Sequence, residues 1–172
     1  SVTIPSSVTS LGAHAFDNCR SLTDVTIPPG VTTIGDHTFV NCQSLTSLTI
    51  PTKVTRIGNL AFQHCKSLTS VTIPAGVTSV GLNPFVGCSA LTRIEVATGN
   101  DNYASIDGFL YDKAITSLLA VPAGLSGSLT IPAGVTSIGN YAFSASDRVT
   151  SVTLPEGVTS IGPLAFADCQ AL

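Results

Sequence analysis

Five cysteines, three histidines and ten acidic residues are nearly all that this 172-residue sequence offers for chemistry, so their spacing decides what they can do. Cys19, Cys42, Cys65 and Cys88 recur at a fixed step of 23, and Cys169 stands apart. Zinc sites take cysteines in pairs two to four residues apart, and no such pair occurs. A constant long step instead places the thiols in one slot of a repeating unit. There they form a ladder of small buried groups, a role free cysteine fills well and Ser146 fills equally. His14 and His37 share another slot in successive units, close enough in principle to share a metal. No carboxylate accompanies them in that slot, and a solvated or half-packed pair is the expected reading; His64 is alone. Serine is plentiful but sits in repeated turn and strand slots, without a G-x-S-x-G elbow or a Gly-rich phosphate loop. No catalytic residue, metal or cofactor is expected, and the sequence reads as non-enzymatic.

The elements behind that spacing follow from the same step. Proline recurs at Pro5, Pro28, Pro51, Pro74, Pro132 and Pro155, and phenylalanine at Phe16, Phe39, Phe62, Phe85, Phe143 and Phe166. Before each proline, apolar and Ser/Thr residues alternate, as in Leu48-Thr49-Ile50, which predicts a short strand with one buried face. Proline ends it, having no N–H for the ladder. After a two-residue turn, V-T-x-I-G predicts a second extended piece closed by a glycine able to take positive φ. The A-F-x-x-C-x-x-L remainder, with its spacing of three, predicts one turn of α or 3-10 helix. One such coil cannot bury its apolar face, whereas stacked copies can. The predicted fold is therefore a repeat solenoid of leucine-rich-repeat type, with a parallel β-sheet on one face, and short extended pieces and α or 3-10 turns on the other. Residues 1–172 read as one solenoid and as a fragment of a longer array.

The register breaks once. Ala97 stands where a proline is due, and the step resumes at Pro132, so residues 97–131 form an irregular unit. Strands over 105–111 and 115–121 joined around Asp112-Lys113 suggest a hairpin-like insertion; an irregular coil with a longer turn is the plainer alternative.

Charged residues make up 10% of the chain and the net charge is -3, so no basic stripe is available for nucleic acid. Apolar runs are too short for membrane insertion. If the pre-proline strands line a concave surface, the residues projecting from it are mostly Ser and Thr, with charge at Asp24 and at Arg93 and Glu95. With Asp101, Asn102, Tyr103 and Asp107 of the irregular unit, these are the candidate binding residues.

With these residues in view, the sequence resembles the BspA-type leucine-rich repeat family. The pattern L-T-x-V-T-I-P-x-x-V-T-x-I-G-x-x-A-F-x-x-C carries the likeness along nearly the whole chain. Asn102-Tyr103 and Asp107-Gly108-Phe109-Leu110-Tyr111 are similar to an irregular unit of that family. The resemblance implies a curved solenoid, an extracellular or cell-surface setting, and adhesion or protein binding, the partner being a protein or glycan on another cell or matrix. It implies no catalytic residues. Two other readings stand beside it. One is a structural spacer with end-to-end self-association, because Leu172 and Ser1 are complementary in register. The other is an ice-binding array built on the slot of Thr9, Thr32, Thr55, Thr78, Thr136 and Thr159.

Overall fold

A computed structural model describes residues 2–172; Ser1, which enters the register of the two ends, lies outside the described residues. Most coils contribute two short strands, and equivalent residues of successive coils sit opposite one another. On the face ending in proline, Val2–Thr3 pairs Val25–Thr26, Ser70–Ile73 pairs Arg93–Val96, and Gly127–Thr130 pairs Val149–Thr153, all parallel. On the second face Ser10–Leu11, Thr33–Ile34, Arg56–Ile57 and Ser79–Val80 form a continuous four-stranded parallel sheet. Val71 faces Ile94, and Ile34 faces Ile57, which places like side chains in ladders through the core.

The phenylalanine slot shows the stacking most clearly. Ring centroids are 5.0 Å apart for Phe16 and Phe39, 5.5 Å for Phe39 and Phe62, and 5.5 Å for Phe62 and Phe85, with the rings nearly parallel. Phe39, Phe62 and Phe85 are buried, and a side chain of that size stabilises by about 1.5–3 kcal/mol when fully removed from water.

Two local expectations change. The A-F-x-x-C segment shows the i→i−3 closures of a tight turn, Ala15 N–H to Gly12 and Cys19 N–H to Phe16, but no helix continues from them. His14 and Asn18 both take positive φ, 58° and 59°, and alternate N–H groups are given to the next coil: His14 to Asp36, Phe16 to Thr38, Asn18 to Val40. A helix would need those donors for itself. The second positive-φ slot holds Asn18, Asn41, His64, Gly87, Ala145 and Asp168, mostly types that tolerate the left-handed region. The glycine closing V-T-x-I-G, in contrast, does not take positive φ. It is there for close approach: a Cβ on Gly35 would lie 2.7 Å from the Ala13 nitrogen, and one on Gly58 2.4 Å from that of Asp36.

The irregular unit is an antiparallel meander of Tyr103–Ile106, Phe109–Asp112 and Ser117–Ala120, the last pairing in parallel with Ser137–Ile138 of the following coil. The single strand expected over 105–111 is divided because Asp107-Gly108 is itself a turn, with φ 54° and 80°. Positive φ at both central residues is the geometry that Asp-Gly favours in two-residue hairpins. The strand Phe109–Asp112 lies inside the molecule and divides the core. Leu110 joins the amino-terminal cluster with Phe39 and Phe62, whereas Phe109 and Tyr111 join the carboxy-terminal cluster with Phe143. Alternation along a strand sends neighbouring side chains to opposite sides, so one strand serves both clusters.

Candidate functional site

The meander places the candidate binding residues in two groups. At its tip, the Gly108 carbonyl accepts the Ile94 N–H at 2.9 Å, and Ser105 Oγ accepts the Val96 N–H at 3.0 Å. The tip thus covers the free edge of Arg93–Val96, and Gly108 packs against Arg93: a Cβ there would lie 3.3 Å from the Arg93 Cα. Arg93 and Glu95, two apart on one strand face, form an ion pair beside it. The Arg93–Glu95 pair therefore lies beside the Asp107-Gly108 turn, where Asp107 is exposed, with Ser70 and Thr72 as cross-strand neighbours of the pair.

At the base, Tyr103, Asn100 and Asp112 tie the meander to the neighbouring coils and to itself. Tyr103 turns its hydroxyl to the Val80 N–H at 2.8 Å, satisfying the edge of the second sheet where the regular coil stops. Asp101 and Asn102 are exposed beside Asn100, which is 1% exposed. Asn100 Nδ2 donates to the Pro74 and Val77 carbonyls, and its Oδ1 accepts the Asn102 and Tyr103 N–H groups. Asp112 accepts the N–H groups of Thr116 and Ser117 and the Thr116 hydroxyl. Burial pushes its carboxyl upward, but these hydrogen bonds outweigh it and hold the group below the usual aspartate range. Asp24 is exposed on the pre-proline face, several coils from the tip.

The cysteine slot does more than fill space. Cys42, Cys65, Cys88 and Cys169 each donate from Sγ to the phenylalanine carbonyl of the preceding coil, at 3.1–3.3 Å. All are free thiols; Cys19 is exposed. Burial pushes Cys42 up to about 12, and the adjacent Cys88 thiol together with burial pushes Cys65 up as well. These thiols are poor nucleophiles. His14 and His37 stack with ring centroids 4.8 Å apart, and His14 Nδ1 lies 3.3 Å from Asp17. Among the described residues no three His, Cys, Asp or Glu side chains converge as a metal site would require. In the threonine slot, Thr32, Thr55 and Thr78 each donate to the carbonyl of the equivalent threonine one coil earlier, at 3.3 Å, so their protons stitch coils together.

Three contributors escape a reading by register. Arg148 donates to the carbonyls of Ser89 and Gly124, and Asn83 donates to that of Tyr141 at 2.8 Å, tying the coils on either side of the meander. The Ser105 hydroxyl on the hairpin edge is the third. Their only signal is departure from the repeat, as in Ala145-Ser146-Asp147-Arg148.

Against known families, residues 1–113 and 125–172 match the BspA type leucine-rich repeat region in six copies. No curated protein matches. Among solved structures, a leucine-rich repeat protein from Eubacterium ventriosum is 30% identical with a TM-score of 0.80, over 96% of this chain and 50% of that one. A leucine-rich cell surface protein from Faecalibacterium prausnitzii is 33% identical with a TM-score of 0.69, over 96% of this chain and 50% of that one. The pneumococcal vaccine antigen PcpA shares the fold, with a TM-score of 0.73 at 24% identity over 98% of this chain and 48% of that one. The chain thus spans about half the length of these structures.

Proposed function

The chain belongs to the BspA-type leucine-rich repeat family, and on that premise we propose that it is a non-enzymatic binding module of a cell-surface or secreted protein. Its partner in this reading is a protein or glycan on another cell or on matrix. One observation supports it above the others: apart from Asp24, the regular strand face is neutral Ser and Thr except where Arg93 and Glu95 pair beside the Asp107-Gly108 tip of the meander. A charged cluster on a rigid, hydrogen-bonded support holds its geometry when a partner arrives, which lowers the ordering cost of association. The description of a relative as a cell surface protein supports the extracellular setting.

The test applies the labelled chain to wells coated with mixed extracellular matrix and to fixed epithelial cells. Saturable retention is expected on at least one, and the R93A/E95A double variant should lower it about tenfold, equivalent to ~1.4 kcal/mol. Tyr103→Phe should leave retention unchanged, since that hydroxyl faces Val80. Absence of saturable retention on both surfaces, or full retention by the double variant, contradicts this reading.

A further inference from the structure

The pre-proline sheet is open at one coil. Val25–Thr26 pairs only toward Val2–Thr3, and Ser70–Ile73 only toward Arg93–Val96, so Ser47 to Ile50 between them has no strand partner on either side. Among the described residues, none of the backbone groups of Ser47 to Ile50 bonds another backbone group. At the same level of the opposite sheet, Thr33–Ile34, Arg56–Ile57 and Ser79–Val80 pair without a gap. The open segment is nonetheless anchored, because Leu48 and Ile50 are buried in the same cluster as Val25 and Val71.

Two clefts follow, one on each side of the segment. The larger, about 430 Å³, lies between Ser47 to Thr49 and Ser70 to Thr72 and ends at Ala75, Gly76 and Ala97. Unpaired main-chain groups that meet neither water nor a ligand are costly, and here they line open clefts. The chemistry of the walls selects the ligand. No charged side chain lines the larger cleft, and Asp24 alone lines its neighbour, so nothing holds an ionic ligand. Ser and Thr hydroxyls both donate and accept, N–H groups donate and carbonyls accept, while Ala75 and Ala97 offer C–H surface. A peptide strand needs a sheet edge approached in the plane of the sheet. The shared core of Val25, Leu48 and Val71 leaves no room for one between coils.

We infer that this opening is a shallow subsite for a neutral oligosaccharide lying along Ser47 to Ile50. Sugar hydroxyls donate and accept in turn, as these walls do, and ring C–H faces suit the apolar end. The inference deepens the reading of the chain as a binding module by naming a ligand class. It uses none of Arg93, Glu95 or Asp107, so the two fail separately.

The test follows amide resonances of the intact chain during titration with cellohexaose, maltohexaose and N-acetylchitohexaose, and with an uncharged Ser/Thr-rich hexapeptide as comparison. At least one saccharide should give saturable shifts centred on Ser47 to Ile50 and Ser70 to Thr72. The Kd should be unchanged by 0.5 M salt and raised at least fivefold by Thr49→Val or by Ser47→Ala. Both variants replace exposed side chains, and a native amide spectrum shows that each is folded. No saturable shift with any of the three saccharides overturns the inference. So do shifts centred elsewhere, binding by the hexapeptide alone, or affinity that collapses with salt.

Discussion

At the scale of single residues, the side chains that look reactive are committed to the backbone. Cys42, Cys65 and Cys88 are buried donors to phenylalanine carbonyls, whereas Cys19 is exposed. Iodoacetamide at pH 8 should therefore label Cys19 in the native protein, and Cys42, Cys65 and Cys88 only after denaturant, as peptide mass mapping would record. Asp112 makes a pH dependence. Its folded pKa lies below the ordinary value near 3.9, so its contribution is full above that value and is lost as pH falls through the lowered one. Melting temperatures measured from pH 6 downward should fall less steeply for Asp112→Asn than for the natural chain once the pH is below about 4. The cysteine slot was legible because its spacing repeats. Asn100 and Arg148 were not, because a residue that occurs once and acts across coils leaves no period to detect.

At the scale of elements, the meander replaces regular coils by ending both sheets at once. Its tip accepts from Ile94 and Val96, and Tyr103 at its base accepts from Val80. Tyr103→Phe leaves the Val80 N–H without its partner and should cost about 1–3 kcal/mol in urea denaturation, with faster amide exchange at Val80. Gly108→Val forces a branched side chain to φ 80° and against Arg93, for a loss of about 1–3 kcal/mol or more. Alternation before each proline made the strands legible. The helical turn expected after A-F did not form, because a spacing of three fits a run of reverse turns as well as a helix. Only the Asn, His, Gly and Asp residues in the second slot distinguish the two. Likewise Asp107-Gly108 carried the hairpin turn in plain view, but its flanking apolar residues read as one strand.

At the scale of the whole molecule, stability rests on contacts between neighbouring coils, and the Phe109–Asp112 strand divides the core into two clusters. Removal of a ring from the middle of the ladder should be felt far more than removal at its end. Phe62→Ala is expected to cost about 3–5 kcal/mol, and Phe166→Ala, at a half-buried ring, clearly less. The period of 23 made this architecture legible from the sequence alone, since only stacking gives a buried partner to every apolar slot. The proposed subsite was less legible, because the strand opening at Ser47 to Ile50 arises in a coil whose sequence obeys the repeat. In-register stacking is tested most directly by ring-proton nuclear Overhauser contacts in a chain labelled at phenylalanine. Cross peaks should join Phe39 to Phe62 and Phe62 to Phe85, whose centroids lie 5.5 Å apart, with none between Phe39 and Phe85. Absence of the Phe39–Phe62 cross peak in the folded protein would contradict the stacked solenoid.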